Sequence, residues 1–258
     1  MKKGFTQMSF FISILVIVSL ACSFQLGGSE PAATTAPAAT EAPANAALPT
    51  EKPTDVPQPT AVPPTVGPEE FFTEEFDDSA DMENWVAFSF GPGADDNANL
   101  RIEQEGEGVT FDLGALDLYE YYMYTPFTYR DVKLTMVAEN RGVNNNNVSL
   151  VCRLDADNSE WYEFSFESGG VWYLYAYKDG YTILDNGGSN DLKQGKAVNE
   201  YGMTCEGNVI TMSINGKELK SFTDRTYNFG EGQVGFNISS LNVLPVIVNV
   251  QSFDIATP

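Results

Sequence analysis

The chain from about residue 69 onward predicts an all-β fold of antiparallel strands, and three observations predict it. The segments RDVKLTMVAE, NVSLVCRL, WYEFSF, VWYLYAY, NVITMSI, KELKSF, QVGFNI and LPVIVNVQSFDI alternate apolar and polar residues. Clusters of Gly, Asn and Asp bound them at short intervals, and no helical period runs through this part. Asn215-Gly216, between NVITMSI and KELKSF, is the strongest hairpin signal, because both residues tolerate the positive φ of a type I′ turn. Many short strands at this spacing make a two-sheet sandwich or a barrel.

Ahead of the β segments lie two regions of different character. Lys2 and Lys3, an apolar run from Phe10 to Leu20, then Ala21-Cys22 read as an export signal over residues 1–22. The run is short for a membrane span. Cys22 after Ala21 resembles the lipobox of bacterial lipoproteins, in which the Cys thiol is acylated, although Ser19 stands where that motif usually has Leu. An ordinary secretory signal is the alternative. Stable anchoring needs two or more acyl chains, since one gives only marginal binding. Residues 23–68 form a Pro/Ala/Thr-rich stretch with almost no large apolar side chain, so burial cannot offset the entropy of ordering and a disordered tether is expected. Such a tether reaches roughly 40 Å as a coil and up to about 120 Å extended. Residues 69–258 are then a single domain on the extracytoplasmic side, held to the membrane through the lipid alone.

Composition removes several function classes. Lys and Arg number 14 against 36 Asp and Glu, a net charge of −22 that lies almost wholly in the β part. Binding to nucleic acid or an anionic membrane face is disfavoured, and attraction to cations is favoured. The chain holds 0 histidines, which removes His-based nucleophile systems, HExxH zinc sites and His proton shuttles. Phosphate-cradling Gly motifs are also missing, and no cofactor is implied. Catalysis would have to run on carboxylates, Tyr, Lys or Arg.

Strand parity adds residue-level expectations. Val148, Leu150, Cys152 and Leu154 share one face, and Tyr201, Met203 and Cys205 share another. Both cysteines project with apolar sets, and export places them in an oxidising compartment, so a Cys152–Cys205 disulfide is predicted. Two buried free thiols are the alternative.

The ribbon WYEFSFESGGVWYLYAYKDG, residues 161–180, raises the functional question. A two-residue Gly169-Gly170 turn would mix Trp172 and Leu174 with glutamates. One more loop residue shifts the register and sorts the faces cleanly. Tyr162, Phe164 and Phe166 then join Trp172, Leu174 and Ala176 in the core, while Trp161, Glu163, Ser165, Glu167, Tyr173, Tyr175 and Tyr177 face outward. That second register is preferred. Rings of this kind stack on the C–H faces of a sugar and carboxylates accept from its hydroxyls, so Trp161, Glu163, Glu167, Tyr173, Tyr175 and Tyr177 are the candidate ligand platform. An ordinary solvated sheet face is the alternative, since Tyr favours strands.

VCRLDADNSEWYEFSF, MTCEGNVITMSINGKELKSFTD, GEGQVGFNI and the closing SFDI, in that order, resemble a domain of the concanavalin A-like lectin/glucanase superfamily. Its laminin-G-like jelly roll, also seen in 3-keto-disaccharide hydrolase-like domains, is the nearest form. The resemblance spans about residues 70–256 and implies two curved antiparallel sheets, ligands on the concave face or a rim, and the first strand (EEFFTEEF) beside the last. Glucanases of this superfamily carry E-x-D-x-E on one strand. Glu163-Phe164-Ser165-Phe166-Glu167 keeps the spacing but has Ser in place of the middle Asp. Four strand residues span roughly 13 Å, whereas a retaining pair needs about 5–5.5 Å, so Glu163 and Glu167 are a weak catalytic pair. A structural calcium is a second habit of the superfamily. Asp77, Asp78 and Asp81 of FDDSADMEN, with Asp254 if the terminal strands pair, are its candidate ligands here. The sequence thus favours non-catalytic binding of carbohydrate or another extracellular ligand. A carboxylate-based hydrolase of glycans and a structural or adhesive module are the rivals.

Overall fold

The computed structural model describes residues 67–77, 79–95 and 99–258. The proposed export signal, Cys22, the tether up to residue 66, Asp78 and the side chain of Asp81 lie outside the described residues. Along the chain run β1 (Phe72–Glu74), β2 (Trp85–Phe90), β3 (Leu100–Gln104), β4 (Val109–Leu113) and β5 (Tyr119–Tyr129). They are followed by β6 (Val132–Asn140), β7 (Asn146–Leu154), β8 (Glu160–Glu167), β9 (Val171–Lys178) and β10 (Tyr181–Gly188). The last five are β11 (Val198–Glu206), β12 (Val209–Ile214), β13 (Lys217–Thr223), β14 (Gly232–Ser240) and β15 (Val246–Ala256).

These strands form two antiparallel sheets. The eight-stranded sheet runs β13-β12-β11-β6-β15-β4-β3, with β1 added alongside β15, and the seven-stranded sheet runs β10-β9-β8-β7-β14-β5-β2. As the resemblance implied, the first strand pairs with the last, Phe72 opposite Ile255 and Glu74 opposite Phe253. The Asn215-Gly216 turn forms as expected. Both residues take positive φ, 49° and 75°, and Ile214 faces Lys217 across it.

One continuous core fills the space between the sheets. Phe236 on β14 is its hub, with ring centroids of Phe111, Tyr122 and Phe253 each 5.5 Å away and Trp85 at 5.9 Å. Each such buried side chain contributes about 1.5–3 kcal/mol through area removed from water. Cys152 on β7 and Cys205 on β11 are joined by a disulfide, so the covalent bond links one sheet to the other across the sandwich.

The Trp161–Lys178 ribbon adopts the three-residue-loop register. Phe166 faces Trp172, Phe164 faces Leu174 and Tyr162 faces Ala176. The Gly170 N–H donates to the Glu167 carbonyl at 2.9 Å and Gly170 takes φ 95°, a conformation that side chains rarely adopt. This one turn decides which residues the β8–β9 hairpin shows to the outside.

Candidate functional site

On the outer face of the seven-stranded sheet, the pairing across β5, β14, β7, β8 and β9 aligns side chains in rows. One row contains Tyr121, Asn237, Ser149, Ser165 and Tyr173, and the next contains Met123, Gly235, Val151, Glu163 and Tyr175. The face is aromatic at one end. Phe88 stacks on Tyr121 at 4.8 Å, the Phe90 ring lies 5.7 Å from Tyr177, and Tyr177 stacks on Trp161 at 3.8 Å. These rings, with Met123, Val151 and Leu154, make a second apolar layer outside the sandwich core.

That layer corrects one expectation. Trp161 is only 1% exposed, so its ring is packing and is not open to a ligand. Alternation along β8 assigned it the right face, but the cover comes from β2, β5 and Tyr177, which alternation does not reveal. Tyr177 is itself committed to that stack. Tyr173 and Tyr175 are half-buried and stack on each other along β9, centroids 5.5 Å apart and planes 19° from parallel.

Beside the aromatic layer a hollow of about 150 Å³ opens, lined by Tyr119, Glu163, Tyr175, Tyr181 and Ser239. The size suits a single ring or compact group, since drug-sized ligands need about 300 Å³ or more. Glu163, 4% exposed, forms its floor. Its Oε2 accepts from the Tyr121 hydroxyl at 2.7 Å, the Trp161 indole N–H at 3.2 Å and the Tyr181 hydroxyl at 3.3 Å. The Tyr121 and Tyr181 hydroxyls also contact each other directly. Burial lifts the Glu163 carboxyl above the usual carboxylate range, and these donors offset only part of that. The Tyr119, Tyr175 and Tyr181 hydroxyls are pushed up in turn, first by burial and also by the Glu163 charge.

The polar strip next to the hollow is unusual for a sheet face. Asn147 Oδ1 and Asn237 Nδ2 are buried and make no hydrogen bond within the protein, the Ser149 hydroxyl turns to the Glu163 carboxylate, and the Ser239 hydroxyl donates to Asn237 Oδ1. Asn237 faces Ser149 and Ser239 faces Asn147 across the β14–β7 pair, so the unpartnered atoms sit together. Buried polar groups are nearly always paired, so these exceptions call for a partner that the protein itself does not supply. The chain has N-X-Ser sequons at Asn147 and Asn237, and the second is 0% exposed and cannot carry a glycan in the folded protein.

The remaining expected residues are dispersed. Glu167 is half-buried at the end of β8, opposite Asn147 and four residues along the strand from Glu163. Ser165 stands buried between the two glutamates. Asp254 accepts from the Thr73 hydroxyl at 2.8 Å, and Asp77 is exposed just after β1. Among the described residues no three metal-ligating side chains converge. Larger hollows of about 320, 370 and 300 Å³ exist elsewhere, and most of the residues that line them are charged or polar. The first holds the exposed pairs of Arg101 with Glu103 and Asp112, and of Arg141 with Glu105.

Sequence reasoning missed Tyr119, Tyr121, Tyr181 and Ser239. Tyr181 was within reach of parity, since it pairs with Tyr177 across the next turn and so shares its face. Tyr119 and Tyr121 lie in YEYYMYTPFTY, where aromatic residues occupy both parities and the period of two vanishes.

No family model matches the chain, and no curated protein matches it in sequence. Solved structures do match in fold. A Bacillus subtilis protein of unknown function with a galectin-like fold superposes with a TM-score of 0.57 at 12% identity, over 72% of this chain and 94% of that one. A Bacillus licheniformis β-glucanase gives 0.54 at 13% identity, over 74% and 99%. A Bacteroides ovatus glycoside hydrolase family 16 endo-glucanase gives 0.54 at 10% identity, over 72% and 99%. Two packed antiparallel sheets, the first strand beside the last and near-complete coverage of these chains lead to one conclusion: the described part of the chain is a concanavalin A-like jelly-roll sandwich.

Proposed function

We propose that the domain binds carbohydrate without cleaving it, through the hollow between Tyr119, Tyr175 and Tyr181. The observation that carries this reading is a small cavity with phenol walls, a carboxylate floor and a neighbouring strip of unpartnered polar atoms. Phenol rings present flat apolar faces to sugar C–H groups, and Glu163, Ser239 and the Asn237–Ser149 strip supply acceptors and donors for hydroxyls. Two of the similar structures are glucanases, which supports a glycan as the ligand.

Cleavage is the weaker reading for a physical reason. Hydrolysis by a retaining pair needs a second carboxylate about 5–5.5 Å from the first. Glu163 is engaged by neutral donors, Ser165 takes the middle position, and Glu167 is roughly 13 Å further along the strand by backbone rise. Tyr175→Ala is expected to weaken oligosaccharide binding at least tenfold on a glycan array followed by calorimetric titration. No reducing sugar should appear. Release of reducing ends that stops in Glu163→Gln would replace the binding reading with a hydrolytic one.

We also propose that this domain is displayed outside the cell on the Pro/Thr-rich tether, with Cys22 as the lipid-bearing residue. The Cys152–Cys205 disulfide supports an oxidising compartment. Labelled palmitate fed to expressing cells should enter the protein and be lost in Cys22→Ser. Unchanged labelling of that variant would remove the anchor.

A further inference from the structure

We infer that the group seated in the Tyr119–Tyr175–Tyr181 hollow is an organic ammonium ion, held over the Glu163 carboxylate by an aromatic cage. The inference rests on the reading of this hollow as the ligand site and narrows the ligand to a glycan bearing a free or alkylated amine.

Glu163 is a buried acid whose protein partners are all neutral: Tyr121, Trp161, Tyr181 and Ser149. Among the described residues no Lys or Arg lies within ion-pair distance of it, while the ion pairs of the domain gather elsewhere. Buried charges are ordinarily paired, so the carboxylate leaves one electrostatic position open, on the side of the cavity. The walls around that position are built mainly by three tyrosines, Tyr119, Tyr175 and Tyr181. Tyr175 and Tyr181 meet at 5.3 Å with planes 68° apart, which makes a corner instead of a flat shelf. Phenol faces attract a cation within about 6 Å of the ring centroid, and cages of this composition suit alkylated ammonium groups.

Two further features narrow the ion. A hard metal takes six or more oxygen ligands, and this cavity offers one carboxylate and one serine hydroxyl besides the phenols. The volume of about 150 Å³ is too large for a bare ion and fits a trimethylammonium head or the amine-bearing edge of one sugar ring. The −22 net charge of the chain raises the local concentration of any cationic ligand before contact.

The test is calorimetric titration of the folded protein, at fixed ionic strength, with choline chloride, a chitosan hexamer and the fully N-acetylated chitin hexamer. Choline is expected to bind, and chitosan to bind at least tenfold more tightly than chitin. A polycation also clings to any acidic surface, so the deciding comparison is Glu163→Gln against Glu218→Gln, which removes the same charge from an exposed position on β13. Glu163→Gln should lose tenfold or more toward choline and chitosan, and Glu218→Gln should lose less than twofold. Should Glu163→Gln fold poorly, Tyr175→Leu removes a cage wall and should give the same loss. Equal binding of chitosan and chitin, equal losses in the two glutamate variants, or no binding of choline and chitosan each overturns the cation inference. Tyr175-dependent binding of neutral glycans would leave the carbohydrate reading standing in those cases. Choline binding with no oligosaccharide bound would keep the cage and overturn the carbohydrate reading.

Discussion

Cys152→Ala/Cys205→Ala is expected to lower the unfolding free energy by about 4 kcal/mol, from the loop-closure entropy of the 53-residue separation. The bond links β7 of one sheet to β11 of the other, so it constrains the unfolded chain between two strands that meet only when the sheets pack together. Alanine is the better replacement than serine, because both sulfurs sit in the core at 0% exposure and a hydroxyl there would add its own desolvation cost. For a domain of this size the loss corresponds to a fall in Tm of about 8–16 °C. Urea unfolding followed by tryptophan fluorescence measures it. A loss below about 1 kcal/mol would mean that the denatured chain is already compact around these strands, and the entropic account would be abandoned. Reductant added to the native protein should leave the wild type unchanged until it unfolds, since neither sulfur is exposed.

How far the sequence reached is clear from the β8–β9 ribbon. Register was legible because one choice of loop length sorted the aromatic and aliphatic side chains by face and the other mixed them, and burial enforces the sorted one. The disulfide was legible because parity put both thiols among apolar neighbours. Cover was not legible. Alternation states which side of a sheet a residue faces and says nothing of what lies on that side. Trp161 therefore seemed open to a ligand until Phe90 from β2 and Tyr121 from β5 were seen to bury it. The hollow was illegible for a related reason. Its walls come from β5, β8, β9, β10 and β14, and β5 meets β14 only through pairing between residues more than a hundred apart in the chain. Such pairing leaves no local periodic trace. Glu163 was correctly singled out, but as half of a pair with Glu167. Its actual partners are two tyrosines, an indole and a serine hydroxyl, one of them 42 residues upstream.

Arg153→Met is expected to cost at least about 3 kcal/mol, although the residue touches no ligand site. The guanidinium is 3% exposed and meets three backbone carbonyls. It donates to Arg130 at 2.9 and 2.7 Å, to Gly207 at 2.7 Å and to Phe229 at 3.2 Å. Those carbonyls belong to the β5–β6 turn, the β11–β12 turn and the segment entering β14, so one side chain closes that end of both sheets. Methionine keeps an unbranched apolar stem and removes every donor, and each carbonyl left buried without a partner costs about 1–3 kcal/mol. Asp131 does not rescue the site, because it lies 3.8 Å away and is itself half-exposed. Burial lowers the Arg153 pKa, yet a guanidinium stays protonated in proteins, so the loss should be independent of pH across the neutral range. Arg153 takes a positive φ of 59°, which strains any non-glycine residue alike and so cancels between arginine and methionine. The Tyr162 ring lies 5.9 Å from the guanidinium, and its hydroxyl donates to Asp224, which also gathers backbone N–H groups of Thr226, Tyr227 and Asn228. Loosening at Arg153 should therefore spread to these amides. Hydrogen exchange at Thr226–Asn228 is expected to quicken before the β8–β9 hairpin is affected, and Arg153→Lys, with its single donor centre, should fall between wild type and methionine. A methionine variant within about 1 kcal/mol of wild type would show that water reaches all three carbonyls and that the arginine does not hold the two sheets together at this end.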